Sequence, residues 1–282
     1  HDLPEDHESS KLRDANFRNQ FHHIVYVSNW QYSQYQRVLG IPYSVDNTVI
    51  EVGITPAPIT EKPKDKINLI YTSTPQRGLN LLLPVFDKLA EEHPELHLDV
   101  FSSFAIYGWP QKDAEFEPLF DICRKHPQIT YHGFQPNDKL RAALNDAHIF
   151  SYPSTWAETS CRAMVEAMSA RLLCIHPNYG ALPDTAGGMN LMYQGDSNPQ
   201  VHMAAFYQAL QHGIKMVKEH PGLPNHLTAI KSYVDNRFSL ALASQNWTNL
   251  IRRLVAIYPT EESRKFPTAA IATPSTFKYS VN

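Results

Sequence analysis

Two carboxylates eight residues apart, Glu158 and Glu166, lie in the segment Tyr152–Ala170, YPSTWAETSCRAMVEAMSA. A strand is predicted to end at Tyr152. A loop carrying Pro153, Ser154 and Trp156 follows, and a helix is predicted from Ser160, with Thr159 or Ser160 as its N-cap. The free N–H groups of Ser160, Cys161 and Arg162 would then point out of the helix start, with the positive end of the helix dipole behind them. That is an anion site suited to a pyrophosphate. Glu166 lies two turns in, ~80° around the helix from Glu158. A carboxylate there can accept two hydrogen bonds from a vicinal diol such as a ribose. The same pattern also describes an ordinary capped amphipathic helix with Glu158 complementing the dipole and Glu166 in solvent, and spacing alone leaves both open. A second segment, Tyr71–Leu83 (YTSTPQRGLNLLL), places Arg77 and Gly78 ahead of an amphipathic helix. Arg77 there is either a bidentate phosphate donor or a solvated helix-start residue beside a turn glycine. A third, Ile129–Pro136 (ITYHGFQP), carries His132, Gly133 and Phe134. Taken alone, Phe134 reads equally well as core and His132 as a satisfied strand histidine.

The elements that would position these residues alternate. Strands are predicted at Ile67–Tyr71, Leu96–Phe101, Ile129–His132, His148–Tyr152, Leu172–His176 and Asn190–Tyr193, with helices between them at Gly78–Glu92, Asp113–Lys125, Asn137–Asn145 and Ser160–Ala170. Long helical patterns follow at Val201–Lys218 and Leu240–Ala256. This alternation predicts βαβ units and a doubly wound parallel sheet covered on both faces, an α/β fold. In such a sheet a ligand binds at the carboxyl ends of the strands, where all the segments above place their polar residues. Before residue 55 the pattern is sparser: a helix over Lys11–Gln20, a strand at His22–Val27, a helix over Trp30–Leu39 and a strand at Val49–Val52. Thr55–Lys66, TPAPITEKPKDK, has a linker's composition and sets a predicted domain boundary. The final ~24 residues are Thr/Pro/Ser-rich and read as a tail.

Composition narrows the function classes. The chain has 282 residues, 43% of them hydrophobic and 19% charged, which suffices for a sizeable core and excludes disorder throughout. A net charge of −3 gives no basic footprint, so no nucleic-acid partner is expected. Three scattered cysteines, Cys123, Cys161 and Cys174, read as free thiols of a reducing compartment. With no transmembrane-length apolar run and no apolar leader at the start of this sequence, a soluble, cytoplasmic protein is expected. No Asp-x-Asp, HExxH or paired CxxC is present, and the acidic and histidine cluster His1, Asp2, Glu5, Asp6, His7 and Glu8 lies on the opening residues, so no metal site is assigned. No G-x-G-x-x-G follows Ile67–Tyr71, and there is no G-x-S-x-G elbow.

The pattern P-S-x-W-x-E-x7-E-A-M resembles the E-x7-E signature of retaining glycosyltransferases of the GT-B architecture, family 4 in particular. The resemblance covers about residues 1–258 and is strongest over 67–188. It implies a carboxy-terminal nucleotide-sugar domain (55–258), a remnant of an amino-terminal, acceptor-side Rossmann-like domain (1–54), and a tail (259–282). It also implies a nucleoside diphosphate sugar as donor, with no other cofactor. Glu158 would face the transferred sugar, the Ser160 and Cys161 amides and Arg162 the phosphates, and Glu166 the ribose. Arg77 beside Gly78 would hold the donor phosphates. His132, Gly133 and Phe134 would frame the base. Gly180 and Pro183, with Asp184 in place of the usual Glu, would belong to the loop closing the site. His1, beside Asp2, would stand in the interdomain cleft near the β-phosphate. Two departures stand out. Ser160-Cys161-Arg162 replaces the usual Phe-Gly-Ile, and Tyr71 and Thr72 stand where the family often has a second basic residue.

The expected activity is metal-independent transfer of a hexose with retention. It runs by front-face attack, with Arg77 and His1 stabilising the leaving phosphate and Glu158 by the sugar hydroxyls. The acceptor would be a glycan, a lipid-linked glycan or a protein, with peripheral membrane contact through an amino-terminal half outside this sequence. A non-catalytic or partner-dependent nucleotide-sugar-binding domain is the alternative, and an epimerase of the same shape a third. Because acceptor binding belongs to the other half in the resemblance, the expectation is that these 282 residues bind donor and transfer poorly.

Overall fold

A computed structural model describes residues 2–258. The tail assigned to 259–282, and His1, lie outside the described residues. The opening segment folds as two short helices, α1 (His7–Ser10) and α2 (Ala15–Arg18), joined by a 3-10 turn, Lys11–Arg13. The single helix predicted over Lys11–Gln20 is thus broken. At Asp14 the backbone is extended, and its carboxylate caps α2 by accepting from Asn16 N, the N-cap role that favours Asp over helix interior. Strand β1 (Ile24–Tyr26), helix α3 (Asn29–Leu39) and strand β2 (Asn47–Val49) then form a parallel pair with one crossover helix. Ser28 caps α3 through its hydroxyl, and Gly40 ends it at φ 64°. This pair has its own small core of Tyr26, Tyr35, Leu39 and Ile41.

The main sheet has six parallel strands: β3 (Ile67–Thr72), β4 (Leu96–Phe101), β5 (Ile129–Tyr131), β6 (Ile149–Ser151), β7 (Leu173–Pro177) and β8 (Leu191–Tyr193), in spatial order β5-β4-β3-β6-β7-β8. The α/β reading and the parallel sheet hold. Crossovers are α4 (Leu79–Glu92), α5 (Glu117–Lys125), α6 (Asn137–Asp146), α7 (Arg162–Ser169) and the short α8 (Leu182–Ala186), after which come α9 (Pro199–Glu219), α10 (Leu223–Arg237) and α11 (Leu240–Ile257). Strands β3, β6 and β7 are buried at almost every position, as a sheet covered on both faces requires. The apolar face of α4, Leu79, Leu82, Phe86 and Leu89, enters the same core.

Helix α10 has no counterpart in the sequence-based assignment; Pro224 stands in its first turn, where it costs no hydrogen bond. The predicted Asp113–Lys125 helix is a 3-10 turn, Pro110–Phe116, followed by α5. The proline-rich 55–66 segment is strapped down. Ala57 N donates to Ser169 Oγ (2.9 Å), and Lys62 Nζ donates to the carbonyls of Leu144 (3.1 Å) and Ala170 (2.8 Å). Burial, with Arg171 nearby, pushes Lys62 down to about 7. Two compact units divide between Ala243 and Ser244. Among the described residues no helix is long and apolar enough to cross a membrane.

The chain order turns back between β3 and β6. Strands β4 and β5 are laid down on one side of β3, and β6, β7 and β8 on the other. The carboxyl ends of β3 and β6 therefore flank the topological switch point, where open α/β sheets hold ligands.

Candidate functional site

A cavity of about 600 Å³ opens at that switch point. Its walls come from the β3–α4 loop (Thr72, Ser73, Thr74, Arg77), the β4 loop (Ser102, Ser103, Tyr107), the β5–α6 loop (Gly133, Phe134) and the β6–α7 loop with the first turns of α7 (Trp156, Glu158 to Ala163, Glu166). Two glycines let these loops meet. Gly78 has φ 112°, and a Cβ there would lie 2.1 Å from the Pro153 carbonyl oxygen. Gly180 has φ 59°, and a Cβ there would lie 2.6 Å from Glu158 N. Only glycine permits both the conformation and the approach.

An ion pair lies at the base of the cavity. Arg77 Nη1 donates to Glu158 Oε1 at 2.9 Å, and the hydroxyl of Tyr152 donates to the same oxygen at 2.5 Å. The Glu158 side chain is only 6% exposed and that of Arg77 21%. Burial pushes the Glu158 carboxyl above the ordinary carboxylate range, against the lowering influence of Arg77 and Tyr152. The Arg77 guanidinium sits 5.6 Å from the Trp156 ring centroid and 3.4 Å from the Tyr107 hydroxyl. Its Nε has no partner, nor have the buried hydroxyls Thr74 Oγ1 and Ser102 Oγ in the same walls.

Glu166 stands differently. It is on the second turn of α7, with Arg162 Nε 3.3 Å and Arg141 Nη2 3.9 Å from its Oε1. Both arginines reach it from exposed positions, so these contacts are solvent-screened.

The structure thus brings Arg77, Gly133, Phe134, Glu158, Ser160, Cys161, Arg162 and Glu166 to one cavity. Phe134 is 50% exposed at the cavity wall, so it is not a core side chain. Other expected site residues take different places. His132 lies outside the cavity lining. Its Nε2 pairs with Asp99 at 2.7 Å, and its ring stacks on Phe101 at 4.2 Å. Asp99 is held down at about 2: burial works to raise it, and hydrogen bonds to His132 and His97 overcome that. Gly78 and Gly180 support the cavity through backbone approach without lining it. Asp184 faces away, paired with Arg237 at 3.0 Å and accepting from Trp30 N at 3.2 Å. His1 lies outside the described residues.

The helix start also differs. Helix α7 begins at Arg162 with Cys161 as N-cap, not at Ser160 with a Thr or Ser cap. The carbonyls of Glu158 and Thr159 are turned outward, to Ala181 N (2.7 Å) and Ser28 Oγ (2.6 Å), so they cannot open the helical ladder. Burial pushes the Cys161 thiol up, and amide hydrogen bonds from Met164 and Ala163 oppose this. The first-turn amides are therefore those of Arg162, Ala163 and Met164, further along than the sequence suggests. Tyr152, Tyr107, Thr74 and Ser102 were not foreseen as site residues. Tyr152 had a signal, as the last residue of a predicted strand at the ligand-binding edge. Tyr107 had a weaker one, lying in Ser102–Pro110, the loop that leaves a predicted strand at the same edge.

Residues 57–192 match the family model of glycosyl transferases, group 1. No curated protein matches the chain by sequence. Among solved structures, a glycosyltransferase from Rickettsia africae superposes with TM-score 0.70 at 17% identity, over 90% of this chain and 68% of that one. A sucrose-phosphate synthase from Thermosynechococcus elongatus gives 0.69 at 18%, over 89% and 61%. The Anabaena protein HepE, solved in complex with UDP-glucose, gives 0.67 at 15%, over 90% and 71%. The chain therefore spans between about three fifths and seven tenths of these proteins and shares their fold.

Proposed function

We propose that this chain, with a glycosyl transferases group 1 segment over 57–192, binds a nucleoside diphosphate sugar at the switch-point cavity and serves hexosyl transfer with retention. The observation that carries the reading is that Arg77, from the β3–α4 loop, and Glu158 and Glu166, from the β6–α7 segment, converge on one cavity at the carboxyl edge of a parallel sheet. HepE, of the same fold, has been solved with UDP-glucose, and UDP-sugars head the donors to be tested.

In this reading Arg77 and the first-turn amides of α7 draw the diphosphate, and Glu166 takes the ribose hydroxyls. Gly133 and Phe134 border the base. Glu158 faces the sugar hydroxyls rather than the anomeric carbon. The chemistry is then front-face: the acceptor oxygen attacks the anomeric carbon on the side from which the diphosphate departs, and a leaving phosphate oxygen takes the acceptor's proton. Arg77, with His1, stabilises the charge that builds on the diphosphate, the interaction that counts most in the transition state. Positive potential from protein groups makes a metal unnecessary in this scheme. Residues 2–54, with their own small sheet and core, belong to the acceptor side in the same proposal. A cytoplasmic site of action goes with it.

Calorimetry with UDP, GDP, ADP and their glucose conjugates tests the reading. At least one nucleotide should bind, and Glu166→Ala should lose on the order of 1.5–3 kcal/mol of its affinity, as for hydrogen bonds to a charged group. Binding undiminished by that change would remove Glu166 from the site. Transfer abolished by chelation and restored by Mn²⁺ would refute metal independence, and a trapped glycosyl–Glu158 ester would refute front-face attack.

A further inference from the structure

Two donors of unlike character share one oxygen of Glu158. The Tyr152 hydroxyl (2.5 Å) and Arg77 Nη1 (2.9 Å) both bond Oε1, and Oε2 takes neither bond. Tyr152 is fixed. It is 1% exposed, its ring packs between Phe150 (centroids 5.2 Å) and Tyr71 (6.0 Å), and its backbone N donates to Ile175 O at 3.0 Å across the sheet. Arg77 is a long side chain on a 3-10 turn, its guanidinium also touching the Tyr107 hydroxyl at 3.4 Å, the Trp156 face and the Tyr152 hydroxyl. A diphosphate entering the cavity competes for Arg77 directly, because guanidinium–phosphate and guanidinium–carboxylate pairs use the same donors. Glu158 would then lose its cation while remaining buried. Without a second donor it would swing or take up a proton.

We propose that Tyr152 is the positioning residue of Glu158: its hydroxyl anchors Oε1 while Arg77 is drawn to the diphosphate, leaving Oε2 to accept from a hydroxyl of the transferred sugar. This rests on the nucleotide-sugar reading above. It makes Tyr152 a determinant of sugar recognition and not of nucleotide recognition. A sugar nucleotide should therefore gain affinity over the bare nucleotide only when the Tyr152 hydroxyl is present.

The test is Tyr152→Phe, which keeps the packed ring and removes the hydroxyl, with its 3.4 Å contact to Ser73 Oγ as well as its bond to Glu158. Carboxyl ¹³C titration of the ligand-free protein, with Glu158→Gln assigning the signal, should show Glu158 titrating at higher pH in the variant. The charged neighbours that face it, Arg77 above all, are unchanged, and Cys161 and Tyr71 stay buried. In calorimetry the variant should bind UDP within about twofold of wild type and lose about fivefold or more on UDP-glucose. Arg77→Lys, by contrast, should weaken both ligands alike. An unshifted Glu158 titration, undiminished UDP-glucose binding, or equal loss of UDP and UDP-glucose by Tyr152→Phe would each overturn the proposal. If wild type binds no nucleotide of any base, the functional reading fails, and the ligand-free titration still decides whether Tyr152 holds Glu158.

Discussion

Glu158 and Glu166 are the same residue type in one motif and line one cavity, yet their surroundings have little in common. Glu158 sits on a loop whose carbonyl is tied to Ala181 N, with its carboxylate buried against Arg77 and Tyr152. Glu166 sits on a regular helix, bridged loosely by Arg162 and Arg141 from the solvent side. A carboxylate buried with one cation is held at a desolvation cost that its partner must offset. Glu166, whose side chain is 15% exposed and whose partners are exposed arginines, is held at lower cost and released more easily. The first is built into the fold, and the second, in the proposed reading, trades its arginines for a ribose. Removing the first should therefore damage structure and site together, and removing the second should damage binding alone.

The largest break in that contrast should come from Arg77→Ala. Glu158 would be left buried without its cation, and the domain should lose about 3 kcal/mol by urea denaturation. A loss comparable to that of a surface pair, under about 1 kcal/mol, would mean the Glu158 pocket admits water freely. Glu166→Ala should show the reverse pattern. Its melting temperature should stay close to that of wild type while nucleotide affinity falls by the amount given above, and a matched fall in stability would erase the distinction.

Gly180→Ala sharpens the comparison from a distance. The residue would need φ near 59° and a Cβ 2.6 Å from Glu158 N, so about 2 kcal/mol of stability should be lost. The disturbance should be confined to the Glu158 loop. Amide exchange that quickens around 157–160 but stays unchanged through 163–168 is the expected outcome, and a uniform change would argue against separate supports.

The smallest effect is a slope with pH. Burial holds the Glu158 carboxyl above its ordinary value, so the folded state binds that proton more tightly than the unfolded one. Its stabilising contribution is then greatest at acid pH and declines as pH rises from about 4.3 through the raised folded value. Measured against Glu158→Gln, which does not titrate, wild type should lose relative stability over that range. A relative gain instead would show that Arg77 and Tyr152 outweigh burial.

The sheet was legible along the chain, because β3, β6 and β7 fall in short, largely apolar runs and because strand and helix periods alternate with little interruption. The sequence also pointed to the edge where the cavity lies, since a doubly wound sheet has one ligand-binding edge and the loops holding Arg77, Gly133, Phe134, Glu158 and Glu166 meet there. It gave the 8-residue interval between Glu158 and Glu166, but not their unlike surroundings. Those depend on which atoms approach from elsewhere in the chain: Arg77 from 81 residues away, and Ser28 from 131 residues upstream of Thr159. The start of α7 was misplaced for the same reason. Local capping preference favours Thr159 or Ser160, while long-range partners for two carbonyls moved the start to Arg162. The family resemblance implies a base-pocket place for His132, and the fold pairs it instead with Asp99 on the neighbouring strand. Periodicity and turn chemistry are local and can be read along the chain. Hydrogen-bond partnership and desolvation are set by distances across it, and only the folded structure fixes those.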